Sequence, residues 1–303
     1  MRVLMPFLDL GLWHRYRRQL IEVAERCEEF VVYYRRGEPP DEDLVLFTDS
    51  VRVALGAPVD VVYCLSAEWP QLYGLLFSLV HRVPLVIRMR GDARRLDEIL
   101  GRPWYRLLVK TVIRRLSFWH ASAVVPIAGH LSEVARSQWA RRVTEPVANG
   151  VDLDHFKPGP MPEEFTVGYV GRDSPEKNFE FVKALEEAMP YDRFIVAMGD
   201  VPYSEMPDFY NRCSVIVLPS LMEGFSNVLL EAYACGRNVI CSPEACPPEL
   251  YAYIVPTLVY RWQNALKLRH LLDPRALVIK YTWERYANGI MKVLHDAIRC
   301  DSR

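Results

Sequence analysis

Four side chains define the chemistry this sequence can support. Glu223 and Glu231 stand eight positions apart, and Arg172 and Lys177 stand five apart in a loop-like segment upstream. Eight positions put the two carboxylates on different helical faces, so they suit different parts of one long ligand. A carboxylate has two acceptor oxygens and matches a pair of neighbouring hydroxyls, such as a sugar carries. A guanidinium fork and an ammonium can together neutralise a leaving diphosphate where other enzymes use a divalent metal. The plainer reading of the upstream segment is a capped helix start, Ser174-Pro175-Glu176-Lys177, with exposed charges. Beside Glu223 and Glu231, the anion site is the preferred one.

Local patterns supply the elements that must hold these groups. Residues 215–218 form an apolar run that reads as a buried strand and stops at Pro219. A Gly-containing loop follows, and Ser226 or Asn227 can cap a helix that ends near Gly236. A helix that starts just past the carboxyl end of a parallel strand presents unpaired N–H groups and a partial positive charge, where a phosphate is favoured. The same order recurs upstream as a strand over 165–170, the loop 171–178 and a helix over 179–189. Further strands are expected over 2–7, 30–34, 60–65, 84–89, 123–127, 145–148, 193–198, 238–242 and 253–255. Helices are expected over 13–27 and 68–81, over a long stretch 94–120, and from 282 to the end. Strands alternating with helices imply an α/β fold with parallel pairing and right-handed crossovers.

Glu223-Gly224-Phe225-Ser226-Asn227-Val228-Leu229-Leu230-Glu231-Ala232, followed by Ala234-Cys235-Gly236, resembles the Glu-x7-Glu signature of retaining GT-B glycosyltransferases, in particular glycosyltransferase family 4. Gly171-Arg172 with Lys177-Asn178 is similar to that family's Gly-Arg-x-x-x-x-Lys-Asn loop, and Asn149-Gly150-Val151-Asp152 with Phe156 is similar to its interdomain hinge. The resemblance implies two Rossmann-like domains facing across a cleft. An acceptor domain would span 1–155 and a donor domain 156–275, with the terminal helix in 276–303 packing back on the first. It also implies a metal-independent, retaining transfer from a nucleotide-diphosphate sugar to an acceptor hydroxyl. Arg172 and Lys177 would hold the diphosphate, Glu231 the ribose and Glu223 the sugar, while Gly171, Gly224, Phe225, Ser226 and Asn227 would complete the donor site. No side chain is an evident covalent nucleophile, so same-face attack is favoured.

Two departures from the family pattern stand in the first half. The paired glycines of the first loop reduce to Gly11, and the usual His-Gly after the fourth clear strand is Arg90-Gly91-Asp92. Arg90 cannot serve as a base at neutral pH, but it can hold a phosphate or carboxylate, and Asp92 can accept from sugar hydroxyls. A structural Arg–Asp pair fits the same residues equally well. Asp152-Leu153-Asp154 has the spacing of a metal site found in another transferase class, but its neighbours fit the hinge. No metal and no cofactor are expected beside the nucleotide-sugar donor. A non-catalytic partner subunit and an epimerase or hydrolase on the same fold are the rival readings.

The chain of 303 residues is 50% hydrophobic and 25% charged, the balance of a soluble protein with room for two domains. Neither a signal peptide nor a membrane span is expected. Seven cysteines without a Cys-x-x-Cys pair read as reduced, which points to the cytoplasm. Residues 1–145 hold 21 Lys and Arg against 17 Asp and Glu, and the remainder 16 against 21. Within the basic half, Arg106, Lys110 and Arg114 recur at four-residue intervals among aliphatic residues of 102–120. That amphipathic pattern permits peripheral contact with an anionic membrane at its inner face. The plainer and preferred reading is a core-packed helix with a solvated cationic stripe. The acceptor, whether glycan, lipid or small molecule, is not legible. Nucleic acid is disfavoured, since no aromatic and basic stacking platform is apparent.

Overall fold

A computed structural model describes residues 1–10, 13–66, 68–190, 192–247, 250, 253–266 and 273–301. In chain order its elements begin with β1 (Arg2–Asp9), α1 (Trp13–Ala24), β2 (Glu29–Arg36), β3 (Leu46–Thr48), α2 (Val51–Gly56), β4 (Val61–Leu65) and α3 (Glu68–His81). They continue with β5 (Leu85–Met89), α4 (Ala93–Ile99), α5 (Trp104–His120), β6 (Ala123–Pro126), α6 (His130–Ser137), β7 (Thr166–Val170), α7 (Phe179–Glu187), β8 (Arg193–Ala197), α8 (Met206–Asn211) and β9 (Val215–Leu218). The last are α9 (Asn227–Ala234), β10 (Asn238–Cys241), β11 (Tyr253–Ile254), α10 (Val259–Leu266), α11 (Pro274–Val278) and α12 (Trp283–Asp301).

The chain divides into two compact units. One comprises Met1–Arg94, Arg102–Ala148 and Trp283–Arg303, and the other Arg95–Gly101 and Asn149–Thr282. In the first, six strands pair in the order β3-β2-β1-β4-β5-β6, every pair parallel. Strands covered on both faces need apolar residues at consecutive positions, and Val61, Val62, Tyr63, Cys64 and Leu65 are all buried. The terminal helix α12 completes this core. Tyr286, Ile290, Leu294 and Ala297 recur every three or four positions and are buried together with Ala287, and Arg88 lies 4.6 Å over the Tyr286 ring.

The second unit holds a five-stranded parallel sheet in the order β11-β10-β9-β7-β8. Its core joins Val167, Tyr169, Val215 and Val217 of the sheet to Val182 and Leu185 of α7 and Trp262 of α10. Two arginines, Arg237 buried and Arg275 half-buried, tie down the segment that enters this unit. Arg275 donates to the Leu153 and Phe156 carbonyls at 2.9 and 2.8 Å, and Arg237 donates to those of Gly159 and Pro160 at 2.9 and 2.7 Å.

Local pattern and structure part company at three places. The stretch expected as one helix over 94–120 breaks into α4 and α5, because Gly101 turns at φ +60° and Pro103 keeps Arg102 out of the helical region. The strand expected over 145–148 is absent, and only an isolated bridge pairs Val124 with Val143. Pro146 has no N–H for a ladder there. The short elements β3, α2, α6, α8, α10 and α11 carry too little periodicity to be read from sequence.

Candidate functional site in the second unit

Strand order positions the site. Numbered within its own sheet, the second unit has the order 2-1-3-4-5, in which β7 neighbours both β8 and β9. The connections after β7 and β9 leave in opposite directions, and such a switch point opens a crevice at the carboxyl ends of the two strands. Arg172 and Lys177 follow β7, and Glu223 and α9 follow β9.

The loop after β7 is held from several sides. Gly171 N donates to the Ala197 carbonyl at 3.0 Å, and the buried Tyr169 hydroxyl donates to the Arg172 carbonyl at 3.4 Å. Pro175–Lys177 makes one 3-10 turn, closed by Asn178 in the left-handed region at φ +56°. Asn178 Nδ2 then donates to the Pro219 carbonyl at 3.2 Å, and Leu221 N donates to the Glu176 carbonyl at 2.8 Å. These bonds stitch the two strand-end loops together.

Lys177 Nζ donates to Glu223 Oε1, and the buried Ser220 hydroxyl donates to the same oxygen at 3.0 Å. The Lys177 and Glu223 side chains are 18% and 14% exposed, so their pairing is screened far less than a surface ion pair. Arg172 remains 57% exposed and reaches Glu176 Oε1 at 2.9 Å. Glu176 is buried, so this turn is not the helix start with exposed charges that its sequence also allowed.

The helix α9 begins after Ser226, whose extended backbone, at φ −73° and ψ 121°, sets the N-cap while its side chain makes no capping bond. The first-turn amides of an α-helix have no intrahelical acceptor, and an anion is their natural partner. Asn227 Oδ1 accepts from Asn149 Nδ2 at 2.7 Å. Phe225 is buried against Tyr281 with ring centroids 5.5 Å apart, and Gly224 is half-buried in the loop between them and Glu223. Glu231 points to α8, where the buried Tyr210 hydroxyl donates to Oε2 at 2.7 Å. Burial pushes the Glu231 carboxyl up to about 7, opposed by that hydrogen bond, and burial likewise raises the Tyr210 hydroxyl.

The structure thus brings Lys177 and Glu223 into contact, while Arg172 of the same loop pairs with Glu176, the residue before Lys177. Glu231 is joined to none of these three; its partner is Tyr210. Asp152 Oδ1 caps a turn, accepting from the amides of Asp154 and His155 at 3.1 and 3.0 Å. Arg90 follows β5 of the first unit with its guanidinium 4.2 Å over the Tyr16 ring, and Asp92 Oδ1 accepts from Arg94 N at 3.0 Å. Gly11 lies outside the described residues. Sequence reading missed Glu176, Ser220 and Tyr210. The four-residue spacing of Arg172 and Glu176 was the available signal for the first, and nothing local marks the other two.

Residues 160–260 match the family model of glycosyl transferases group 1. Over 205 aligned residues the chain is 25% identical to D-inositol 3-phosphate glycosyltransferase of Mycobacterium tuberculosis, covering 49% of this chain and 43% of the relative. The chain therefore spans less than half the length of the curated relatives it matches. Sucrose-phosphate synthase of Thermosynechococcus elongatus superposes with a TM-score of 0.79 at 14% identity, over 99% of this chain and 100% of that one. HepE of Anabaena, solved with UDP, superposes with a TM-score of 0.71 at 16% identity, over 98% and 100%. At such identities the likeness is one of fold, and the fold is the two-domain GT-B type.

Proposed function

We propose that this chain, whose residues 160–260 form a glycosyl transferases group 1 domain, moves a sugar from a nucleoside-diphosphate donor to an acceptor hydroxyl with retention and without a metal ion. The observation that carries the reading is the Lys177–Glu223 pair at the β7/β9 switch point, with the exposed Arg172 guanidinium on the same loop as Lys177. As the bond from the sugar to the β-phosphate weakens, positive charge grows at the ring and negative charge on the departing phosphate. Lys177, Arg172 and the amides at the start of α9 answer the negative charge. Glu223, released from Lys177 by the incoming diphosphate, accepts from the sugar hydroxyls. Glu231 receives the ribose hydroxyls in place of, or beside, the Tyr210 donor. With no nucleophile assigned, the acceptor attacks from the face the diphosphate leaves, and a phosphate oxygen takes its proton. The UDP and UDP-glucose complexes of HepE make uracil the first base to test.

The test has two stages. Thermal shift with UDP, GDP and ADP identifies the base, since a ligand of the folded state raises its stability by mass action. The matching sugar donors are then supplied with a panel of glycan, lipid and small-molecule acceptors, in the presence of a chelator. A product whose anomeric proton keeps the donor's configuration, formed at an undiminished rate with chelator, is expected. Absence of stabilisation by every nucleoside diphosphate overturns the reading. Hydrolysis without transfer to any acceptor favours the hydrolase alternative.

A further inference from the structure

The outward side of α5 is apolar. At about 100° per residue, Trp104, Tyr105, Leu108, Val112, Leu116 and Trp119 fall within an arc of about 120°. Each is between 47% and 75% exposed. An arc this wide ordinarily faces a core. Here the inward side is taken by Arg114, Ser117 and Phe118 instead, all buried. The cationic stripe expected to face solvent is therefore displaced: Arg114 is buried, Lys110 is half-buried, and only Arg106 is exposed. The neighbouring α3 repeats the arrangement, with Trp69, Leu76, Leu79 and Val80 each at least 47% exposed. The two helices are packed side by side, Ser117 Oγ donating to the Gln71 carbonyl at 3.4 Å and Ser78 Oγ meeting His120 Nε2 at 3.0 Å. Their apolar sides form one face, larger in kind than the scattered exposed residues of an ordinary surface.

The segments that build this face carry charges of one sign. Residues 69–91 and 99–132 contain no Asp or Glu. Arg106 stands beyond the Leu116 side of the arc, and Arg115 lies near its opposite edge, between Trp104 and Leu108, stacked 4.8 Å over Trp139. Arg141 lies 5.6 Å over Trp119. Tryptophans at both ends of an apolar stripe with cations at its edges match the boundary between acyl chains and anionic headgroups. A helix of this kind lies on a bilayer rather than crossing it, and among the described residues no helix is long and apolar enough to cross.

We infer that the joint outer face of α3 and α5 seats the first unit on an anionic lipid surface, with the apolar arc entering the headgroup boundary and Arg106, Arg115 and Arg141 meeting lipid phosphates. The full chain is mixed with vesicles of phosphatidylcholine alone and with vesicles that also contain phosphatidylglycerol, then separated by flotation. Wild type floats with the anionic vesicles. The double variant Leu108→Gln, Val112→Gln loses partition on the order of tenfold, as expected for two aliphatic chains withdrawn from lipid, and Arg106→Glu weakens it in a salt-dependent way. Both variants alter exposed positions, and an unchanged melting midpoint verifies that they fold. Partition into neither vesicle, equal partition into both, or undiminished partition of the double variant overturns the inference. A lipid-free dimer that the double variant dissociates also overturns it, because the face would then cover a second copy. Stabilisation by nucleoside diphosphate is read separately, so the fate of the proposed reaction does not decide this one.

Discussion

The Lys177 ammonium donates to the Glu223 carboxylate across 46 positions of the chain, and neither side chain is more than 18% exposed. The cation suited to a diphosphate and the carboxylate suited to sugar hydroxyls thus hold each other, with Ser220 fixing the carboxylate from a third side. A donor that carries both a diphosphate and a sugar offers each of them a replacement partner at once. Free pyrophosphate or free sugar satisfies only one of the two.

Lys177→Ala should lower turnover about a hundredfold or more, the effect expected when one donor to a leaving oxyanion is lost. The fold should persist, because Ser220 still donates to Glu223. Steady-state rates with the matching sugar donor, beside a thermal melt, check both halves of the expectation. Turnover close to wild type would remove Lys177 from the site.

Glu231 makes stability depend on pH. Its carboxyl is held at about 7 against an ordinary value of 4.5, so the folded state keeps its proton more strongly than the unfolded chain does. The contribution is fully present below about pH 4.5, declines as pH rises towards 7 and is gone above it, a loss on the order of 3 kcal/mol. Glu231→Gln should flatten that part of the profile and gain on wild type above pH 7. Urea midpoints measured at pH 5, 6, 7 and 8 test the sign (about four points across the window suffice). Parallel profiles for the two proteins would show that the carboxyl does not titrate there.

Gly171→Ala places a methyl group 2.6 Å from the Tyr169 hydroxyl and 2.9 Å from its ring carbon. Tyr169 is buried, so the loop or the ring must shift, at a cost of about 1–3 kcal/mol. Adding Tyr169→Phe removes the nearer clash and should restore part of the loss. A double-mutant cycle by urea denaturation reads the coupling, and additive effects would deny the contact.

Arg237→Ala should destabilise the second unit by about 3 kcal/mol or more. The buried guanidinium satisfies the part-buried carbonyls of Gly159, Pro160 and Asn211, and truncation leaves them without their donor. Chemical denaturation measures the loss directly. Stability within experimental error of wild type would mean that water replaces the side chain.

The legible part of this molecule was local. Apolar runs such as 61–65 and 215–218 marked strands buried on both faces, and the Ser226 cap with Gly236 at φ +70° bounded α9 closely. The loops that carry Arg172, Lys177 and Glu223 were bounded by the same local signals. Less legible were the partners Glu176, Ser220 and Tyr210. A hydroxyl or carboxylate of this kind has no period and no motif until another segment is folded against it.

Sequence by itself determined the alternation of strands and helices, the loops between them and the chemical types at the strand ends, because these follow from short-range periodicity and backbone preference. Only the tertiary structure decided that β7 lies beside β9, which carries Lys177 to Glu223. Only it decided that α5 turns its apolar arc outward, against the reading of a solvated cationic stripe. Both are outcomes of long-range packing: strand order is chosen among crossovers that the same local pattern allows, and a helix cannot specify which of its faces a neighbour will cover.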